Sequence, residues 1–321
     1  MSLTTGIATT VDGRPALRFE RRLRHAPERV WRAVTEPAEL AQWFVAPPTW
    51  TPALGERLSG FGGSGEIVAL DPPRHIAWTW GTARFSFDVE PDGDGTRLVF
   101  VHVLDDGTPV AQTSAGWETY LDRLGAALGG APLSEEDAHG AVGVYHEAHA
   151  ALSGEDPARG RAFVAGLAFR DPELHDGPPP QLRIERLLPA PPERVWAMLT
   201  EPDDLAHWFP GGAHALTVVR ADAPRTLEAT WSGEALRFEL TAHPVGCRLV
   251  FTHRFAEREV AARTAAGWDR CLARFDARLA GVALAEAGSL ELWPVVHERL
   301  AEAYGVDPEL GRAAFAAHPA T

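Results

Sequence analysis

The chain has 321 residues, of which 45% are hydrophobic and 23% charged, and 44 acidic against 30 basic residues give a net charge of −14. This composition is typical of a folded globular protein with room for two domains, and no apolar stretch approaches the roughly 18 residues of a membrane-spanning helix. The negative charge argues against nucleic acids and anionic membranes as partners, because both attract basic surfaces.

Individual residue types exclude further classes of protein. All the basic residues are arginine, and the lack of lysine excludes Schiff-base and P-loop chemistry. Cys247 and Cys271, in a chain without a recognisable secretory signal, indicate reduced thiols and a cytoplasmic location. We expect no cofactor and no metal, since no Cys/His spacing suits zinc and the glycine-rich segment at 60–65 precedes a strand rather than a helix.

One long segment of the chain occurs twice. Residues 17–44 recur as residues 182–209, with 17 of 28 positions identical at an offset of 165. The match resumes at an offset of 151, where residues 113–124 align with residues 264–275. Solenoid repeats span roughly 20–50 residues, so a repeat of this length indicates a duplicated domain.

Each copy opens with a strand and two short helices. In the first copy residues 16–25 are predicted to form the strand. Pro27 suits the first turn of a helix, because its fixed φ is helical and an N–H is not needed there. The helix that follows places Val30 and Val34 on one side. Pro37 ends that helix and begins the second one.

Several strands follow in which apolar side chains alternate with polar ones, and this pattern predicts a sheet with one buried face. The alternating residues are Ile76, Trp78 and Trp80 in one strand and Phe85, Phe87 and Val89 in the next. The PDGDG segment at 91–95 is typical of a hairpin turn, and TRLVFVHVL forms the last strand.

A long helix closes each copy. Residues 109–128 carry apolar side chains at helical spacing, including Trp117 and Leu124. Gly116 and Gly267 match between the copies. Because a glycine within a helix costs roughly 1 kcal/mol relative to alanine, we expect both helices to pass close to the sheet at these positions.

This order of elements predicts an α+β fold with two tandem helix-grip domains, each a curved antiparallel sheet wrapped around a long C-terminal helix. We place a flexible N-terminus at 1–15 and a first domain with a C-terminal helical extension at 16–170. A linker at 171–181 precedes the second domain, also with a helical extension, at 182–321. The second domain is shortened by about 14 residues after its second helix, as the difference between the offsets of 165 and 151 shows.

The PERVW helix start, the TEP-x-x-L-x-x-WF segment and the GW-x-x-x-L-x-x-L helix resemble the activator of heat-shock protein 90 ATPase homologue family. That family belongs to the START-like (SRPBCC) superfamily. The resemblance covers about residues 16–130 and 181–282. It implies a cavity between the long helix and the sheet of each domain. Superfamily members include lipid carriers, hormone receptors and polyketide cyclases, so the resemblance implies a fold more strongly than an activity.

Aromatic side chains on the predicted inner faces are candidates to line such a cavity. Core packing is the alternative interpretation, above all for the tryptophan of the long helix. The candidates are Trp43, Trp78, Trp80, Phe85, Phe87, Phe100, Trp117 and Tyr120 in the first copy, and Trp208, Trp231 and Trp268 in the second.

His102 and His253 occupy equivalent places in the last strand of each copy, in phase with the inward-facing Phe100 and Phe251. A histidine that faces a cavity can orient a ligand by hydrogen bonding or act as a general base. A structural histidine is the alternative. Neither copy shows an obvious triad with a hydroxyl nucleophile, so His102 is a catalytic candidate only if the chain is an enzyme.

His146 and His149 lie three residues apart in a later helical stretch and could share a metal ion. The second copy keeps His297 at the first position and has Leu300 at the other. We therefore interpret this stretch as a surface helix.

Three functions agree with these observations. The leading hypothesis is non-enzymatic binding of a small hydrophobic, lipid- or polyketide-like ligand, mainly in the first domain. Its residues 45–63 supply a strand and a cavity rim where the second copy is shortened. The second is a polyketide cyclase or hydrolase that uses His102, assisted by Tyr120. The third, implied by the family name, is a co-chaperone or protein-interaction role in the stress response. The expected partner is a small apolar molecule, with another protein as the alternative, and neither nucleic acid binding nor membrane insertion is expected.

Overall fold

The computed structural model describes residues 6–44, 52–60 and 63–317 of the chain. Within these residues no helix is both long enough and apolar enough to cross a membrane. The chain divides at Glu155 and Asp156 into two compact units, which are described separately here.

Residues 156–170 belong to the second unit, although the sequence places them at the end of the first domain. The physical reason lies in the contacts of Arg299. Its Nη1–H donates a hydrogen bond to the carbonyl oxygen of Ala165 at 2.7 Å. Its Nε–H donates to a carboxylate oxygen of Asp171 at 2.9 Å. These bonds fix the segment to a helix near the C-terminus of the second unit.

The described residues of the first unit form seven strands and five helices. They are β1 (Gly6–Val11), β2 (Arg14–Leu23), α1 (Pro27–Thr35), α2 (Pro37–Leu40), β3 (Arg57–Gly60), β4 (Gly63–Asp71), β5 (His75–Trp80), β6 (Ala83–Asp92), β7 (Gly95–Val103), α3 (Val110–Leu128), α4 (Glu135–His139) and α5 (Val142–Ser153). All strand pairs are antiparallel, in the order β1-β2-β7-β6-β5-β4-β3.

The core of the first unit lies between this sheet and the long helix α3. Phe87 and Phe100 point inward from neighbouring strands and oppose each other in the β6–β7 register. Trp117 and Leu124 of α3 pack against them. The predicted α+β arrangement of a long C-terminal helix over an antiparallel sheet is therefore confirmed.

Residues 6–11 form an edge strand, which corrects the prediction of a flexible segment at 1–15. Strand β1 pairs with β2 along its whole length, from Gly6 opposite Phe19 to Val11 opposite Arg14. The turn between them is the Asp12–Gly13 dipeptide, and both of these residues have positive φ. An Asp-Gly pair between strands favours a tight hairpin, so the signal for β1 was present in the sequence.

The described residues of the second unit repeat this arrangement with one strand fewer. Its elements are α6 (Ala158–Ala165), β8 (Glu173–His175), β9 (Gln181–Leu188), α7 (Pro192–Thr200), α8 (Pro202–Trp208), β10 (Leu216–Asp222), β11 (Thr226–Trp231), β12 (Glu234–His243), β13 (Gly246–Arg254), α9 (Ala261–Leu279), α10 (Glu286–Leu290), α11 (Trp293–Tyr304) and α12 (Glu309–Ala316). The antiparallel sheet has the order β10-β11-β12-β13-β9-β8. The predicted linker at 171–181 thus contains a strand, β8, because residues 173–175 pair with β9.

Strand β3 is the element in which the two sheets differ. It pairs with β4 in the first unit, whereas in the described residues of the second unit no strand lies beside the equivalent β10 on that side. Ile67 of β4 is consequently 0% exposed, while Val218 at the equivalent place in β10 is 54% exposed. Part of the predicted rim, residues 45–51 and 61–62, lies outside the described residues.

The long helices do not approach the sheet at their shared glycines. A Cβ atom built on Gly116 or on Gly267 would meet no described atom within 4 Å. The predicted close approach is therefore wrong, and packing against the sheet does not explain the glycine at either position.

Candidate functional site

The candidate site of the first unit is an aromatic layer between α3 and the sheet. Trp117 of α3 packs on Phe100 of β7 with ring centroids 4.2 Å apart, and Phe85 of β6 lies 6.0 Å from Trp117. The His102 imidazole stacks on Phe85 at 4.2 Å with an interplanar angle of 24°. Four of the predicted residues thus meet at one place, because β6 and β7 are neighbours and Phe85 opposes His102 in their register.

The layer continues into the core of the first unit. Trp78 stacks on Phe85 at 5.4 Å and also contacts Phe87 at 5.7 Å. Trp43 contacts Phe87 at 6.2 Å, and its indole N–H donates to the carbonyl oxygen of Ala33 at 2.9 Å. Trp43 and Phe87 are fully buried among apolar side chains, so both serve as core residues beneath the site.

Phe44 is a member of the layer that sequence reasoning missed. Its ring stacks on Trp117 at 6.0 Å with an interplanar angle of 18°, and it lies 5.9 Å from Tyr120. Phe44 and Tyr120 are both half-buried, and burial raises the pKa of Tyr120 to about 12. The signal for Phe44 was available, because the second copy keeps a phenylalanine, Phe209, at this position.

Trp80 is half-buried at the end of β5 and lies across Gly63. A Cβ atom on Gly63 would come within 2.6 Å of the Trp80 indole nitrogen. The second copy has His214 at the position of Gly63. Only a residue without a side chain accommodates this placement of the Trp80 ring.

His102 presents one hydrogen-bond donor at the edge of the aromatic layer. The indole N–H of Trp117 donates to Nδ1 of His102 at 3.0 Å, so Nδ1 is an acceptor and the proton of the neutral ring lies on Nε2. Burial lowers the pKa of His102 to about 4, partly opposed by Asp105, and the ring is neutral near pH 7. Among the described residues Nε2–H has no hydrogen-bond partner, and His102 is 9% exposed.

This tautomer decides what His102 can do chemically. A general base needs a lone pair on the nitrogen that faces the substrate. In His102 the lone pair on Nδ1 is occupied by Trp117, and Nε2 carries a proton. The arrangement is therefore suited to donating a hydrogen bond to an oxygen acceptor.

The second unit contains the same pair with a different environment. The indole N–H of Trp268 donates to Nδ1 of His253 at 2.9 Å, but here Nε2 bonds Oε2 of Glu234 at 2.8 Å. His253 is 0% exposed. Trp231 turns toward this pair, with its ring centroid 5.6 Å from Trp268 and 6.2 Å from His253.

Trp208 of the second unit is a core residue like Trp43. Its indole N–H donates to the carbonyl oxygen of Met198 at 2.8 Å, and its ring packs edge-on against Phe275 at 5.0 Å. The burial of both tryptophans agrees with the alternative interpretation of core packing, and a cavity-lining role for them stays a prediction.

A buried ionic cluster lies on the other side of α3. Glu118 is 0% exposed and accepts hydrogen bonds from Arg21 at 2.6 Å and from the backbone N–H of Gly6 at 3.0 Å. Arg21 also pairs with the carboxylate of Asp122 at 3.2 Å. The hydroxyl of Tyr145 donates to the same carboxylate at 2.5 Å. Burial raises the pKa of Asp122 to about 6.

Helix α5, predicted to lie on the surface, is buried from residue 142 to residue 150. His149 is directed to Glu118, with Nε2 3.1 Å from Oε1. The Glu118 carboxylate thus gives the buried imidazole of His149 a polar partner. Among the described residues no group of three or more His, Cys, Asp or Glu side chains is arranged to hold a metal ion.

The tautomer and acidity of His102 can be measured directly. We expect its imidazole to titrate near pH 4 in ¹⁵N NMR spectra of the full chain, with Nδ1 unprotonated above that pH. The unfolded chain takes up this proton near pH 6.5, so the contribution of His102 to stability is complete above pH 6.5. As the pH falls from 6.5 through 4, this contribution is lost, and the free energy of unfolding decreases by about 3 kcal/mol.

The matched control for this titration is Trp117→Phe, which removes the indole donor and leaves an aromatic ring in the layer. We expect the variant to show a mixture of the two neutral tautomers. A midpoint near 6.5 in the unaltered chain, or a proton on Nδ1 at neutral pH, would contradict the assignment.

Several solved structures resemble single units of this chain. CalU16 from Micromonospora echinospora is 26% identical over 45% of this chain and 93% of its own, with a TM-score of 0.39. The Aha1 dimer from Colwellia psychrerythraea is 19% identical over 35% and 95%, with a TM-score of 0.32. An AHSA1-like protein from Aeromonas hydrophila is 17% identical over 36% and 92%, with a TM-score of 0.33. No functionally curated protein matches the chain.

A family model matches the chain twice, over residues 24–129 and 189–280. The two segments cover the paired short helices and the long helix of each unit, together with strands β3–β7 of the first sheet and β10–β13 of the second. They include the Trp–His pairs in both units. The chain belongs to the Activator of Hsp90 ATPase homolog 1-like protein family, as two tandem helix-grip domains.

Proposed function

We propose that the first unit binds a small, largely apolar molecule at the aromatic layer around Trp117, with His102 as the hydrogen-bond donor that orients it. The observation that carries this proposal is the Nε2–H of His102, which has no partner among the described residues. This nitrogen is not among the fully buried polar atoms that have no partner, so water or a ligand oxygen can reach it. A ligand oxygen that accepts from this donor would contribute a hydrogen bond worth about 1 kcal/mol.

The surroundings of the donor support an apolar ligand. Phe85 and Trp117 contact His102, and Phe44 and Tyr120 contact Trp117. Three of these four rings, those of Phe44, Phe85 and Tyr120, are only half-buried. Aromatic walls with one or a few fixed polar groups are the usual composition of small-molecule sites. We therefore favour a lipid- or polyketide-like molecule.

The two alternative functions receive less support. A cyclase or hydrolase needs His102 as a base, and the bond from Trp117 leaves Nε2 protonated instead. The co-chaperone role rests on the description of the family alone, and we see no contact among the described residues that favours it.

Native mass spectrometry of the full chain, purified without detergent, tests the proposal. We expect one bound molecule per chain, either co-purified or taken up from a panel of palmitate, naringenin and acetylnaphthalene. His102→Leu should weaken binding about tenfold, because it removes one hydrogen bond worth about 1 kcal/mol and leaves a ligand oxygen unpaired.

The matched control is His253→Leu in the second unit, which should leave the affinity of the first unit unchanged. A chain that is always empty and takes up none of the three compounds would contradict the proposal. Equal affinities of the unaltered chain and His102→Leu would exclude His102 as the orienting donor.

A further inference from the structure

We infer that the residue at the start of the sixth strand of the first unit, and its equivalent in the second, decides which Trp–His pair is open to a ligand. Glu234 occupies in the second unit the place of a ligand oxygen, whereas Ala83 leaves that place open in the first. This inference rests on the proposed function and extends it: the ligand is an apolar molecule that carries a carbonyl or carboxylate oxygen.

The two positions are equivalent in the strand registers. Ala83 opposes Trp80 between β5 and β6, and Glu234 opposes Trp231 between β11 and β12. The histidines also correspond, because His102 opposes Phe85 and His253 opposes Leu236, each two residues further along the strand. Residues two apart in a strand face the same side, so residue 83 or 234 lies next to the histidine edge in both units.

The hydrogen bonds of the two pairs then differ at one nitrogen only. Trp117 and Trp268 donate to Nδ1 at 3.0 and 2.9 Å, which fixes the same tautomer in both rings. In the second unit Glu234 accepts from Nε2 at 2.8 Å. An alanine methyl group cannot accept a hydrogen bond, so the side chain at position 83 leaves the donor of His102 unused.

The geometry of Glu234 indicates what a ligand must supply. Its carboxylate is partly exposed, while His253 is fully buried. An acceptor oxygen that reaches His102 therefore enters from the solvent side at the start of β6, with the apolar body on the aromatic layer. A carbonyl and a carboxylate both satisfy an N–H donor, and the two are distinguished by experiment.

The test uses the full chain with ¹⁵N-labelled tryptophan and follows the indole N–H signals of Trp117 and Trp268 in NMR spectra. These two protons bond the histidines directly and report separately on the two units. The probes are acetylnaphthalene, naphthoate and isopropenylnaphthalene, the last of which replaces the carbonyl oxygen with carbon. The variants are Ala83→Glu, Glu234→Ala and the double exchange.

We expect acetylnaphthalene or naphthoate to shift the Trp117 signal of the unaltered chain at least tenfold more effectively than isopropenylnaphthalene, and to leave the Trp268 signal in place. Ala83→Glu should abolish the Trp117 response. Glu234→Ala should create a Trp268 response, and the double exchange should transfer binding to the second unit. Each substitution copies the residue of the other unit and is therefore compatible with the strand.

The outcomes separate this inference from the proposed function. A Trp268 response in Glu234→Ala without any Trp117 response in the unaltered chain would refute ligand binding by the first unit and support the role of residue 234. A Trp117 response that persists in Ala83→Glu, or a Trp268 response already present in the unaltered chain, would overturn the inference. Equal responses to the carbonyl probe and its carbon isostere would also overturn it.

Discussion

Replacing Glu118 with alanine is expected to destabilise the first unit by about 3–5 kcal/mol, the usual cost of removing one partner from a buried ion pair. The carboxylate is fully buried and accepts from Arg21 at 2.6 Å. It also accepts from the backbone N–H of Gly6 at 3.0 Å and lies 3.1 Å from Nε2 of His149. Alanine would leave these three buried groups without this acceptor.

The effect should spread over several elements because Glu118 joins them. Gly6 belongs to β1, Arg21 to β2 and His149 to α5, and all three meet the carboxylate on α3. We therefore expect β1 and α5 to lose protection against hydrogen exchange before the centre of the sheet does. Exchange measured by mass spectrometry gives this order and the local free energies.

Glu118→Gln is the matched variant, since it keeps an acceptor oxygen and the side-chain volume but removes the charge. We expect it to lose less than the alanine variant. Amides of the second unit serve as the internal reference, because two units need not unfold in one transition. A loss below about 1 kcal/mol for Glu118→Ala would show that Arg21 is adequately paired by Asp122 alone.

Trp43→Ala is expected to cost about 3–5 kcal/mol in the first unit, and Trp208→Ala a similar amount in the second. Each indole is fully buried at the end of the second short helix. Each donates its N–H to a backbone carbonyl of the preceding helix, at 2.9 Å for Trp43 and 2.8 Å for Trp208. Alanine would remove the hydrogen bond and leave a cavity the size of an indole.

The two tryptophans differ in what else depends on them. Trp43 contacts Phe44 at 5.4 Å, and Phe44 stacks on Trp117. Trp43→Ala should therefore also weaken ligand binding in the first unit, whereas Trp208→Ala should not. Denaturant unfolding with unit-resolved hydrogen exchange measures the stability, and the indole signal of Trp117 measures the site.

Trp43→Phe is the control that keeps most of the apolar contact, and we expect it to lose about 1–2 kcal/mol through the hydrogen bond and the smaller ring. Loss of protection in the second unit upon substitution of Trp43 would contradict the assignment of this residue to the first core. A stable, fully protected Trp43→Ala chain would contradict its role as a core residue.

Much of the fold follows from local patterns in the sequence. Proline at the first turn marks the start of α1, α2, α7 and α8, because its fixed φ suits that position. Alternation of apolar residues identifies β5 and β6, since neighbouring side chains of a strand face opposite sides. The duplication shows most elements twice, and it explains why the α+β architecture was predictable from one chain.

Other features required contacts between distant segments. The partner of Glu118 on β2 is 97 residues away along the chain and the one on α5 is 31 residues away. Periodicity shows which face of an element is buried but not which polar group lies opposite. The surface interpretation of α5 rests on the replacement of His149 by Leu300 in the second copy, and this comparison does not show that Glu118 lies opposite His149.

The sequence by itself determined the two tandem domains, the inward phase of His102 and His253 and the aromatic character of their surroundings. Only the tertiary structure decided which groups the histidines bond. Trp117 and Trp268 fix the tautomer from a helix, and Glu234 accepts the remaining N–H of His253 in the second unit. The reason is physical: hydrogen-bond partners are set by the register of strands and the placement of the helix, which join residues that no local pattern relates.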